Sequence, residues 1–278
     1  MKKTYAILLS IFALATIHAQ ENKFDLIVGT FTKNCESKGI YVYEFDSNTG
    51  DFKLKNNTEN IINPSYLTVS SDNKFVYSVN ETDNKSAVSA FVFNSKSGKL
   101  DFINLQNPKG AGSCYIINDE KNVITANYSS GSISVLNKNS DGSIGEVKQV
   151  IQHTGKGINV ERQEAPHVHM VYFSPDKKYV LSNDLGTDEV SVYQYNPNGG
   201  DETLKLKSSV AVTPGSGPRH LTFSKDGQFV YVLQELSGAL TTFRYANGML
   251  KKVFETNIIA KGYKGEIRSA DIHISPDG

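Results

Sequence analysis

The chain has no tryptophan, two cysteines, eight prolines and no net charge, its 29 basic residues balancing 29 acidic ones over 278 positions. Each shortage excludes something. Two cysteines make no disulfide framework, and because Cys35 and Cys114 fall in different repeats of the sequence they are expected as unpaired thiols. A balanced charge, slightly acidic once Lys2 and Lys3 are set aside, offers no footprint for nucleic acid. No G-x-S-x-G elbow is present, so serine-nucleophile hydrolysis has no support. The segment TGKGIN at residues 154–159 lacks the frame of a phosphate-binding loop and precedes no helix. The missing tryptophan removes the WD dipeptide, and no double glycine recurs from repeat to repeat as in the kelch type.

The one long apolar run, AILLSIFALATI, follows Lys2 and Lys3 and ends before the small residue Ala19. That is the pattern of a secretory signal peptide over residues 1–19, too short for a comfortable membrane span. No cysteine at the cut suggests a lipid anchor, so a periplasmic or secreted protein starting near Gln20 is expected, with no membrane insertion.

What the sequence has in abundance is repetition. VSSDNKFVYSVNE from Val69 returns as IINDEKNVITANY from Ile116, FSPDKKYVLSND from Phe173, FSKDGQFVYVLQE from Phe223, and a final ISPDG. The copies lie roughly fifty residues apart, the mark of units that bury a core only against their neighbours. In each, an apolar run enters a tight turn and a β-rich run leaves it, which predicts a hairpin. A third run alternates at period two, as in AVSAFVF and EVSVYQY, and predicts a half-buried strand. A glycine turn and a short polar strand follow. Four antiparallel strands per unit at this period predict an all-β fold, a β-propeller. One domain over residues 20–278 is expected, monomeric. The count of five complete units and an opened sixth suggests a chain truncated to about five and a half blades of a seven-bladed whole, which would need roughly 350 residues.

Aligning the repeats on Ser70, Ile117, Ser174, Ser224 and Ser275 places Ser65, Gly112, His169, Arg219 and Ala270 at one equivalent position, the start of the first strand, which lines a propeller channel. Small residues in three units with His and Arg in two suggest space held open for a ligand. Eleven residues after the anchor stand Glu81, Tyr128, Leu185 and Glu235, and a carboxylate there needs a cationic answer if buried. His167 and His169, two apart, could share a strand face, but no third ligand has suitable spacing, so no metal and no cofactor are expected. Residues 153–166, HTGKGINVERQEAP, form the one irregular stretch long enough to suspect of function.

The segments NPSYLTVSSD, ANYSSGSISVL, PHVHMVYFSPD, SNDLGTDEVSVYQY and GSGPRHLTFSKDG, with the Glu of VLQE, resemble the lactonase family of seven-bladed propellers, which includes propeller-type 6-phosphogluconolactonases and carboxymuconate lactonising enzymes. The resemblance implies hydrolysis of a lactone, with catalytic residues His169, Arg219 and Glu235, the three that the repeat alignment selects on its own. A fourth site Arg of the family would fall after Gly278, which leaves the activity of the chain as it stands open. His167, His220, Glu81 and Tyr128 are the expected substrate-binding residues, and a small lactone is the expected partner. The competing readings are a non-catalytic binding propeller and a muconate-type cycloisomerase.

Overall fold

A computed structural model describes residues 22–278; the expected signal peptide and its cut near Gln20 lie outside the described residues. The chain folds into five antiparallel sheets of sequentially adjacent strands. The first holds β1 (Lys23–Gly29), β2 (Ile40–Asp46) and β3 (Phe52–Thr58). The second runs β4 (Leu67–Val69), β5 (Phe75–Asn80), β6 (Ala87–Asn94) and β7 (Lys99–Gln106). The third is β8 (Ser113–Asn118), β9 (Asn122–Asn127), β10 (Ser132–Lys138) and β11 (Ile144–Gln152). The fourth is β12 (Val168–Phe173), β13 (Tyr179–Asp184), β14 (Glu189–Tyr195) and β15 (Leu204–Ala211), and the fifth β16 (Pro218–Phe223), β17 (Phe229–Gln234), β18 (Ala239–Ala246) and β19 (Met249–Asn257). Neighbouring sheets touch through their first strands, β8 against β12 and β12 against β16, as blades do around an axis.

The repeated S-x-D phrase has a structural cause. In three blades the serine hydroxyl accepts the backbone N–H five residues on and donates to the aspartate two residues on: Ser70 with Phe75 and Asp72, Ser174 with Tyr179 and Asp176, Ser224 with Phe229 and Asp226. One residue of each turn takes positive φ, Asn73, Lys177 or Gly227, which closes the hairpin tightly.

Three expectations are corrected. The first sheet has three strands among the described residues, β1 standing where the other blades have their second strand. In the inner blades the third strands are not half-buried: residues 132–136 of β10 are buried on both faces, because a blade lies on either side, whereas β18 of the last blade keeps the expected alternation. Small polar residues suit that sandwich, and Ser132 and Ser134 accept hydrogen bonds from Asn127 at 3.1 and 2.9 Å. Residues 270–274, read as a first strand, form none; they have no ladder partner among the described residues.

Candidate active site

The repeats align in space with one change from the sequence alignment. In blades three, four and five the first strand carries a β-bulge, and the residue left out of the ladder is Cys114, His169 or Arg219. A bulge frees one residue from pairing and re-aims its side chain. Here all three side chains border the channel cavity. Ser65, just ahead of the short β4, completes the ring. The residue equivalent to His169 in the third blade is therefore Cys114, not Gly112. The reason is the turn: Asp119 N–H closes it on the Asn122 carbonyl, whereas Ser174 closes on Tyr179, so this hairpin is two residues shorter and slides the first strand past the anchor. On the second strands the sequence alignment holds, and Glu81, Tyr128 and Glu235 line the same cavity, while Leu185 is buried behind it.

The cavity holds 360 Å³, within the range of small-molecule sites. On one wall Glu235, 8% exposed, lies between two guanidinium groups. Its Oε1 accepts a hydrogen bond from Arg162 Nη2 at 2.6 Å, and its Oε2 lies 3.1 Å from Arg219 Nε. Arg162 Nη2 also donates to the Tyr128 hydroxyl at 3.3 Å. A carboxylate so buried is tolerable only because cations answer it. Both of its oxygens thus face guanidinium groups.

His169 is different. Its Nε2 is 3.9 Å from Glu235 Oε2, too long for a direct hydrogen bond, and its Nδ1 is 3.9 Å from the Cys114 sulfur, a weak partner. Burial, then the positive charge of Arg219 and the neighbouring His220, hold its pKa well below 6.5. The imidazole is therefore neutral at pH 7 and can accept a proton. Burial drives the Cys114 thiol the other way, far above its ordinary value, so it stays protonated and is no nucleophile. Both cysteines are free.

His220 and Asp271 support Arg219. His220 Nδ1 donates to Asp271 Oδ1 at 2.6 Å, which leaves Nε2 to accept from Arg219 Nη1 at 3.3 Å. Arg219 Nη1 also donates to the carbonyl of Ala270. Burial lowers the His220 pKa, against the pull of Asp271. Edge-on contacts with Tyr115 at 5.1 Å and His169 at 5.3 Å fix the ring.

Across the cavity Glu81 accepts a hydrogen bond from the Ser65 hydroxyl. Burial raises its pKa above 4.5, partly offset by that hydrogen bond and by Arg219. His167 does not reach the cavity. It stacks behind Tyr128 with ring centroids 4.4 Å apart, its Nδ1 donating to the Tyr128 carbonyl at 3.0 Å and its Nε2 facing Glu164 at 3.3 Å. Its place is under the site, holding Tyr128. Among the described residues no group of three metal-type donors gathers.

Sequence reasoning missed Arg162 and Cys114. Arg162 sits in the long loop singled out as suspect, and the loop is pinned beside it by Gln163, fully buried, whose side chain donates to the Leu185 carbonyl at 2.8 Å and accepts from Asn159 N–H at 3.0 Å. The signal was the loop's length; nothing local said which residue would point inward.

A model of the seven-bladed β-propeller lactonases matches residues 25–278, and the chain belongs to that family. It is 34% identical over 258 residues to a 6-phosphogluconolactonase of Formosa agariphila, covering 91% of this chain and 73% of the relative. It is 33% identical to a 6-phosphogluconolactonase of Bacillus subtilis, covering 90% and 71%. Among solved structures it resembles the periplasmic gluconolactonase of Pseudomonas aeruginosa with a TM-score of 0.85 and 34% identity, over 92% of this chain and 74% of that one. Among the described residues no helix is long and apolar enough to cross a membrane.

Proposed function

We propose that the protein hydrolyses a sugar lactone at the channel cavity. The observation that carries this reading is the neutral His169 beside a Glu235 held between Arg162 and Arg219. Water placed against His169 Nε2 gives up a proton as its oxygen attacks the lactone carbonyl. The N–H groups of Arg219 and Arg162 not engaged by Glu235 stabilise the developing oxyanion, and Glu235 faces the imidazolium that forms. The intermediate then collapses, the ring C–O bond breaks, and His169 returns its proton to the departing alkoxide, leaving a hydroxy acid. His169 is the better base of the two candidates because the Glu235 oxygens are already engaged by guanidinium groups.

The same charges favour a neutral, polyhydroxylated lactone over a phosphorylated one. Both arginines face Glu235, and Glu81 adds a carboxylate to the opposite wall. A phosphate dianion would meet that carboxylate without a spare cation from these residues, whereas sugar hydroxyls can donate to it. A muconate-type substrate, itself anionic, meets the same objection. Export is consistent with this substrate: residues 1–19 read as a signal peptide, and a relative of similar structure is named as periplasmic. N-terminal sequencing of the exported protein should begin near Gln20.

The test is hydrolysis of gluconolactone and of its 6-phosphate, with spontaneous hydrolysis subtracted. The expected result is turnover of both with a higher kcat/KM for the neutral lactone. Binding of a lactone with no rate above background would make the cavity a binding site and remove the enzymatic reading.

A further inference from the structure

In four blades the residue just before the third strand takes positive φ: Gly39 at 121°, Gly131 at 60°, Gly238 at 65°, and in the blade that carries His169, Asp188 at 58°. Glycine adopts this conformation freely and aspartate does so at a cost. The aspartate side chain is what distinguishes that blade. Asp188 is 5% exposed, and both carboxylate oxygens reach across to the next blade, Oδ2 accepting from Gly215 N–H at 2.7 Å and Oδ1 from Gly217 N–H at 2.8 Å.

Those two amides belong to the loop that feeds β16 and hence Arg219. The far side of the same loop holds Glu235, whose N–H donates to the Gly217 carbonyl at 2.7 Å, while Leu236 N–H donates to the Ser216 carbonyl at 3.0 Å. The loop is clamped between Asp188 and the end of β17. Gly217, at φ 66°, has no room for a side chain, since a Cβ there would strike Leu236.

We propose that Asp188 is a positioning residue for the active site: from the His169 blade it sets the height and angle at which the neighbouring blade presents Arg219 and Glu235. A buried carboxylate bonded to two amides is worth more than a neutral acceptor and cannot slide along the loop without losing one bond. Misplacement of about 1 Å between catalytic groups can cost about 100-fold in rate, so a tie across the blade boundary has leverage that its distance from the substrate hides.

The experiment compares Asp188→Gly and Asp188→Asn with the parent chain by melting, lactone kinetics and crystal structure. Glycine relieves the backbone and removes the tie, so the variant is expected to melt within a few degrees of the parent, while kcat falls at least ~10-fold with KM changed less. Its Arg219 Nε to Glu235 Oε2 separation should open from 3.1 Å. Asparagine tolerates positive φ and keeps one oxygen acceptor, so it should restore part of kcat. Parental kcat, KM and ion-pair geometry in Asp188→Gly would overturn the proposal. If that variant does not fold, Asp188→Asn decides: reduced kcat with an opened ion pair supports the claim, and parental values sink it. The kinetic arm rests on the lactonase reading. Should the parent hydrolyse no lactone, that reading falls by itself and the ion-pair geometry alone judges Asp188.

Discussion

Glu235 and Glu81 occupy the same strand position three blades apart, and their surroundings make them different groups. Glu235 faces Arg162 and Arg219; Glu81 has one hydroxyl, that of Ser65, and burial that favours its neutral form. The start of the first strand repeats the lesson, placing Ser65 and Cys114 in two successive blades and His169 and Arg219 in the next two. A propeller supplies equivalent backbone positions; what each does depends on the charges that its own blade and the loops around it bring to meet it. One half of the cavity is charge-dense and preorganised, the other is sparsely donored and open to hydroxyl groups.

The largest effects should come from breaking the charge-dense half. Glu235→Gln leaves two arginines facing an amide that cannot answer their charge, and Arg219→Lys replaces a fork by a point charge that cannot hold Glu235 and the Ala270 carbonyl together. Each is expected to lower kcat/KM for a neutral lactone at least ~100-fold with the fold intact by circular dichroism. A rate within threefold of the parent for either would remove that half from the chemistry. Loss of the base is next: His169→Ala should cost about 100-fold. In the parent, because the His169 pKa is depressed, the neutral base persists as pH falls through 6.5, so the acid limb of kcat/KM should lie below the ordinary histidine range. An acid limb at or above pH 6.5 would contradict His169 as the base. The same depression works on stability: its contribution is complete above pH 6.5 and declines as pH falls below it.

A smaller loss is expected at Arg162, whose side chain comes from a loop and is the more exposed of the two guanidinium groups. Arg162→Lys keeps the charge and should reduce kcat/KM by about 10-fold, less than Arg219→Lys. Equal losses at the two arginines would mean that the loop and the blade contribute alike, and the asymmetry drawn between them would go.

The blade architecture was legible because its signals are local and repeated: the S-x-D turn, the period-two third strand, the glycine turns. His169, Arg219 and Glu235 were legible through the same repeats, since equivalence within a propeller is equivalence around an axis. What failed was whatever depends on chain length or on a neighbour. The turn from Asp119 to Asn122 is two residues shorter than its counterparts, so a fixed spacing pointed to Gly112 and passed over Cys114. Arg162 comes from a loop with no repeat equivalent, and only its contact with Glu235 identifies it. His167 looked like a partner of His169 by spacing, but the bulge at His169 breaks the simple alternation that the spacing assumed. Burial of the inner blades' third strands on both faces could not be read from their alternation either, because the polar half of each of those patterns is covered by the next blade.

The smallest effect tests the open half. Glu81 has a folded-state pKa above 4.5, with burial the main cause, so its contribution to stability is full below pH 4.5 and is lost as pH rises through the folded value; once ionised it works against the fold. Glu81→Gln is neutral at every pH and keeps a carbonyl oxygen for the Ser65 hydroxyl. The variant should therefore melt slightly higher than the parent at pH 7, and the difference should shrink as pH approaches 4.5. It should also narrow the preference for gluconolactone over its 6-phosphate, since the carboxylate that repels the phosphate is gone. A variant less stable at pH 7, with the preference unchanged, would mean that Glu81 is held charged by groups other than Ser65 and Arg219. The two walls of the cavity would then be electrostatically more alike than their hydrogen bonds indicate.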